Sequence, residues 1–214
     1  GKAREQAKRV YCANNLKQIA TAMNMYALEN RNQYPPYGRY NATTDTWADD
    51  WLWDCTYYMT DLVLASGGDR KTMYCPSEPS RDNDNFWWYD QVAWGSVTPP
   101  VKPDDEVQGE GRKTTNRVIG YISMIDPLTP RTSLPLSPQP PQKRWVRKNT
   151  VPYPSEAELY MDIVLSNNAN PDLTTTSFSD VRGGSYTMWG ITDRTNHLVS
   201  KEDPAGGNIA FVDN

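Results

Sequence analysis

Apolar residues recur at helical intervals over only one stretch of this chain, close to its start. Cys12, Leu16, Ile19, Met23 and Tyr26 advance in steps of four, three, four and three, which is the spacing of one face of an α-helix. Ala13, Ala20 and Ala27 widen the stripe. No Gly or Pro interrupts residues 2–32, and Tyr34-Pro35-Pro36 then ends any helix, because a residue before proline is pushed out of the α region. The first turns differ. Lys2, Arg4, Lys8 and Arg9 surround only Ala3, Ala7 and Val10, so residues 1–9 present no core face of their own. A helix that is polar on nearly every side is weak alone, and we expect this one to continue from a segment outside the chain.

Beyond Pro36 the pattern changes to short strands and loops. Residues 47–65 predict a short helix closed by Ser66-Gly67-Gly68, and Thr72–Cys75 a strand stopped by Pro76. Residues 79–116 are polar without a period, apart from the knot Phe86-Trp87-Trp88-Tyr89. Residues 117–125 alternate as a strand should, and 157–165, 185–191 and 208–212 supply three more. Six prolines between 127 and 141 make a stiff, extended excursion. Short strands separated by long loops fit an antiparallel sheet, since parallel strands need crossover helices. The expected fold is α+β: residues 1–32 as the helix, 33–214 as a globular head, both in one domain.

Composition narrows this picture. Leu, Ile, Val and Phe supply only about 16% of the chain, a level at which disorder becomes a serious alternative. The 8 Trp, 13 Tyr and 7 Met restore the apolar surface, and a net charge of −4 is too small to hold the chain open. A pI near 5.1 gives no electrostatic reason to expect nucleic acid. No apolar run approaches the ~20 residues of a membrane-spanning helix. A single histidine, His197, excludes a multi-histidine metal centre. Cys12, Cys55 and Cys75 lie too far apart in sequence for zinc-ligand pairs. One disulfide with one free thiol fits export, and three buried thiols fit a reducing compartment. Spacing leaves the pairing open between Cys55–Cys75, the shorter loop, and Cys12–Cys75, which would tie helix to head.

Candidate chemistry is sparse. Asp49, Asp50 and Asp54 sit among tryptophans, but adjacent carboxylates diverge, and solvated loop acids give the same pattern. No nucleophile elbow accompanies His197, and Gly109-Glu110-Gly111 and Ala205-Gly206-Gly207 read as turns. Asp193, Asp203, Asp213, Asn208 and Asn214 crowd the C-terminal region, so calcium is the one cofactor entertained, although turn-forming Asp and Asn look alike. Trp47, Trp51, Trp53, Trp87, Trp88 and Trp94 are dense enough for a sugar-stacking platform, with Trp87 and Trp88 the best candidates for exposure. A core poor in aliphatics would also use such rings as filler, and Trp47 and Trp51 share a helical face.

Two ends of the chain carry a resemblance. Residues 2–10 (Lys-Ala-Arg-Glu-Gln-Ala-Lys-Arg-Val), then Cys12-Ala13-Asn14-Asn15-Leu16-Lys17-Gln18-Ile19, Met25-Tyr26-Ala27 and Tyr34-Pro35-Pro36 form one block. It resembles the segment after the cleaved, N-methylated apolar helix of prepilin-like proteins, pseudopilins of the type II secretion kind abundant in Planctomycetes, Verrucomicrobia and Lentisphaerae. Tyr74-Cys75-Pro76-Ser77 is similar to the Cys-Pro-Ser of many members. His197, followed by Gly206-Gly207-Asn208-Ile209-Ala210-Phe211-Val212-Asp213, is similar to their closing motif of His, nine residues, then Asp-Gly. Here fifteen residues separate His197 from Asp213, and Asn214 stands where the motif has Gly.

The resemblance implies a pilin-like fold, with a long helix on an antiparallel sheet. Its apolar first half would span the inner membrane and lie outside this chain, and the head would face the periplasm or a cell-surface filament. It implies a non-enzymatic subunit of a type II secretion or type IV pilus-like filament, whose partners are other pilin-like subunits and the secretion or pilus machinery. In that reading Cys12, Leu16, Ile19, Met23 and Tyr26 pack the helix, and the loops at 79–116 and 127–150 give subunit-specific surface. A secreted carbohydrate-binding module using Trp87 and Trp88 is the alternative.

Overall fold

The computed structural model describes residues 2–35, 39–41, 46–48, 52–89, 116–125, 146–166, 177–179, 181, 193–201 and 203–213. Its dominant element is helix α1, Lys2–Glu29. The predicted stripe packs as its spacing requires: Cys12, Leu16, Ile19 and Met23 are buried, together with Ala20 and Ala27. Tyr26 is half-buried and meets the Tyr58 ring edge-on at 5.9 Å. Ala13 is exposed, contrary to expectation, because it turns about 100° from Cys12 and off the stripe; Asn15 and Ala22 border the core instead. The helix stops at Glu29, before residue 32. Arg31 and Asn32 take left-handed φ of 58° and 63°, and Asn32 N–H donates to the Ala27 carbonyl at 2.8 Å.

Strands β1 (Arg39–Asn41) and β2 (Thr46–Ala48) pair antiparallel, with Tyr40 opposite Trp47. The single helix expected over 47–65 is instead β2, then β3 (Asp54–Thr56), then α2 (Tyr57–Ala65). Thr56 sets the boundary, since its Oγ accepts from Met59 N–H and caps α2. The strand predicted at Thr72–Cys75 is a 3₁₀ turn, Arg70–Met73, nucleated by a capping box in which Asp69 and Thr72 exchange bonds. Local capping outweighs strand propensity over so short a run.

The long strand predicted at 117–125 is two. β4 (Asn116–Val118) pairs with β3, and β5 (Tyr121–Ser123) pairs with β6 (Glu158–Asp162). Gly120 separates them. Its N–H donates to the Met73 carbonyl at 2.8 Å, and a β-carbon there would lie 3.0 Å from Cys75 N and Tyr74 Cα. The close crossing requires glycine and seats the Tyr74-Cys75 backbone beside the sheet. β7 (Ile209–Phe211) completes the antiparallel order β5-β6-β7, and α1 lies against β6 and β7. The fold is thus α+β, with a long N-terminal helix, small antiparallel sheets and irregular loops. The expected strand at 185–191 and the proline-rich excursion lie outside the described residues.

The core is aromatic and carries buried guanidinium groups. Arg117 is 1% exposed and stacks on Trp87 at 3.7 Å, Tyr57 at 4.0 Å and Trp88 at 5.0 Å, measured to ring centroids. It also donates to the Trp87 carbonyl at 3.1 Å. Arg81, equally buried, lies over Trp53 and pairs with Asp193. Trp87 and Trp88 are therefore 6% and 8% exposed, and the expectation that this knot offers an open stacking platform is corrected. Two flat cations need aromatic walls, so the rings face inward.

Candidate functional site

Four segments converge behind helix α1. Glu5 and Cys12 come from the helix, Cys75 from the Cys-Pro-Ser turn, Asp162 from the end of β6, and His197 from the loop leading to β7. The ligating atoms of Cys12, Cys75, Asp162 and His197 all lie within 4.8 Å of one another, and all four residues are buried. This is the only such group of three or more among the described residues.

His197 sits at the hub. Its Nδ1 lies 2.7 Å from Glu5 Oε1, its Nε2 3.2 Å from Asp162 Oδ2, and the same Nε2 3.6 Å from Cys75 Sγ. Burial works against a charged imidazole, but Asp162, Cys75 and Glu5 outweigh it and push the His197 pKa up to about 10. Asp162 is held ionised in the same way. Burial raises its pKa, yet His197, Asn208 N–H and Asn196 Nδ2 together bring it below the ordinary value. Asn208 donates to Oδ2 twice, from N at 2.7 Å and Nδ2 at 2.8 Å, and Asn196 Nδ2 donates to Oδ1 at 3.1 Å. Glu5 is lowered against its own partial burial by His197 and by Ser77, whose Oγ donates at 2.8 Å.

The two thiols are unequal. Cys12 Sγ lies 2.6 Å from Cys75 Sγ, and each is free. Cys75 resists burial: the bond from Cys12 and the charge of His197 pull its pKa down to about 6. Ser77 N–H also donates to Cys75 Sγ at 3.4 Å. Cys12 moves upward, first because it hydrogen-bonds to the Cys75 sulfur and then through burial. A thiolate beside an imidazolium is the ground state of a cysteine nucleophile. Here, however, Cys12, Cys75 and His197 are at most 1% exposed, which gives a substrate no face of the sulfur to approach. A groove of about 780 Å³ touches the site through Glu5, and its lining includes Lys2, Arg4, Lys8, Arg9, Leu198 and Val199.

The residues singled out in the sequence divide cleanly. Cys75, His197, Gly207 and Asn208 meet around Asp162, where a β-carbon on Gly207 would come within 3.1 Å of the Asp162 β-carbon. Pro76 turns the chain after Cys75, and Asp213 is exposed and apart. Of the five residues that suggested calcium, Asp193 pairs with Arg81, Asn208 binds Asp162, Asp203 and Asp213 are exposed, and Asn214 lies outside the described residues. Asp54 is buried in β3, while Asp49 and Asp50 lie outside the described residues, as do the side chains of Trp47, Trp51 and Trp94. Cys55 is buried in β3. Sequence reasoning missed Glu5 and Asp162. Glu5 looks like one more charge on a polar helix, and only its (i, i+7) placement on the Cys12 side pointed inward.

A family model described as "protein of unknown function (DUF1559)" matches residues 1–214, and the chain belongs to that family. No curated protein and no solved structure matches it.

Proposed function

We propose that this DUF1559 chain is a pilin-like, non-enzymatic subunit that acts by assembly, its helix α1 packing against α1 of neighbouring copies in a filament. Such a subunit would carry its head on the periplasmic side of the inner membrane or on a cell-surface filament, in company with secretion or pilus machinery. The observation that supports this reading is the outer face of α1. At 100° per residue, Val10, Tyr11, Met25 and Leu28 fall in one sector of roughly 100°, about opposite Leu16 and Met23. Their exposures are 54%, 51%, 51% and 70%. Ala3, Ala7, Asn14, Gln18 and Thr21 fill the same sector, so it carries no charged side chain from Ala3 to Leu28. A single surface helix exposes a charged back to water; one that packs on both sides needs an uncharged back. Beside this sector, Gln18 and Met25 line a groove of about 370 Å³ with Val63 of α2.

The test is site-specific cross-linking in the producing cell. Photo-reactive residues at Tyr11, Met25 and Leu28 are expected to give ladders of dimers and higher multimers of this chain. The same probe at Lys17, at the edge of the sector, is expected to give weaker ladders. Monomer alone at all three outward positions would remove the reading.

A further inference from the structure

We infer that Cys12 and Cys75 are the two halves of a disulfide that fastens helix α1 to the head, with Cys55 left as a thiol. Sulfur atoms 2.6 Å apart are too close for unbonded neighbours, and the contact joins residues 63 positions apart on two separate elements. Two resolutions exist, a bond between the sulfurs or a cation shared by the whole cluster. The geometry favours the bond. Tetrahedral zinc, with Zn–S bonds of about 2.3 Å, holds its sulfurs roughly 3.8 Å apart. A histidine ligand must also offer a neutral nitrogen. His197 has a carboxylate on each ring nitrogen, Glu5 on Nδ1 and Asp162 on Nε2, the surroundings of an imidazolium. With the sulfurs bonded, His197 gives up the Cys75 thiolate but keeps Glu5 on Nδ1 and Asp162 on Nε2, so both its ring nitrogens remain partnered. Cys55 lies in β3, and its thiol pKa is driven upward chiefly by burial. It is the least suited of the three to exchange.

The arrangement also assigns an order to the chemistry. Both sulfurs are covered once α1 is docked, so a donor disulfide reaches Cys75 only when the helix is lifted. Cys75, faced by His197 and with its proton released to solvent, then attacks one donor sulfur, the donor S–S bond breaks, and the first donor thiolate leaves. Docking of α1 brings Cys12 to the mixed disulfide. Cys12 gives up its proton as its sulfur attacks Cys75 Sγ, the second donor thiolate leaves, and the two donor thiolates take up the two protons that Cys75 and Cys12 released. Two cysteine thiols are oxidised and one donor disulfide is reduced to a dithiol. Bond closure thus depends on correct docking of the helix, and it is independent of how the outer face of α1 is used.

The experiment equilibrates the purified chain in a mixture of reduced and oxidised glutathione, quenches it with acid, and alkylates it in denaturant. The expected intact mass shows one alkyl adduct without reductant and three with it, and peptide mapping joins Cys12 to Cys75. Cys55→Ser, which leaves both bridging cysteines in place, is expected to give no adduct without reductant and two with it. Three adducts without reductant would overturn the inference. So would a bridge that includes Cys55, stable glutathione adducts on Cys75, or one zinc per chain by elemental analysis with all three thiols alkylatable.

Discussion

Glu5 Oε1 and His197 Nδ1 lie 2.7 Å apart although 192 residues separate them, so the first turns of the helix and the C-terminal loop are held by one charged hydrogen bond. The two partners are not equivalent in their surroundings. Glu5 keeps a side exposed to water, whereas His197 has none. Removing His197 strands Asp162 as a buried charge. His197→Ala is therefore expected to cost about 3–5 kcal/mol, and Glu5→Gln roughly 1–2 kcal/mol. Urea midpoints of the two variants check this, and equal losses would mean that Asp162 draws its support from Asn196 and Asn208 alone.

The same cluster fixes a pH signature. His197 rises from 6.5 to about 10 on folding, so its contribution is complete below 6.5 and is lost as pH climbs toward 10. Cys75 falls from 9.0 to about 6, so its contribution is complete above 9 and is lost as pH falls toward 6. In the reduced chain the two slopes oppose each other, and stability is expected to be nearly flat between about pH 6.5 and 9. Oxidising Cys75 removes one slope and leaves the other, because Asp162 and Glu5 still hold His197 charged. Stability of the oxidised chain is then expected to decline with pH across that window, as denaturant titrations in the presence and absence of reductant would show.

Gly120 allows one backbone to cross another. A β-carbon there meets Cys75 N and Tyr74 Cα at 3.0 Å, and neither is the free end of a flexible side chain. Gly120→Ala is expected to cost about 1–3 kcal/mol and to separate Cys75 from Cys12. Slower disulfide formation in this variant, measured beside its unfolding midpoint, would register both effects.

How much of this was legible follows from the range of each interaction. The face of α1 was legible, since 3.6-residue spacing is a local property and Cys12, Leu16, Ile19 and Met23 all pack as it demands. The split at Gly120 was hidden, because alternation from Arg117 to Ile125 is unbroken while the crossing chain is 45 residues away. Cys75, His197, Gly207 and Asn208 stood out by resemblance, but nothing local said that they share Asp162. That aspartate reads as the polar end of a strand. Glu5 and Arg117 were hidden for the same reason: a charge looks solvated until its partner, distant in sequence, is known.

Arg117 shows what the tryptophans are for. Its guanidinium sits over the rings of Trp87, Tyr57 and Trp88 and 3.9 Å from Asp61 Oδ1, a setting that suits a planar, weakly hydrated cation. Arg117→Lys keeps the charge and loses the stack, and is expected to cost about 2–4 kcal/mol through lost packing and a poorly solvated ammonium. Near-ultraviolet circular dichroism of the indoles should weaken along with the stability. Arg117→Met, which fills the slot without charge, is expected to lose less than Arg117→Lys.

The outer face of α1 lets the proposed assembly be tested apart from folding. Met25 and Leu28 are exposed at 51% and 70%, so a charge at either position removes almost no packing within the subunit. Met25→Glu and Leu28→Glu are expected to unfold within about 0.5 kcal/mol of the parent. In the filament proposed above the same positions would face copies of the helix, where a carboxylate would be desolvated against apolar neighbours and repelled by its own symmetry mates. Loss of multimers with an unchanged monomer midpoint is the expected result. If multimers persist in the Met25→Glu/Leu28→Glu double variant, α1 does not assemble through this face.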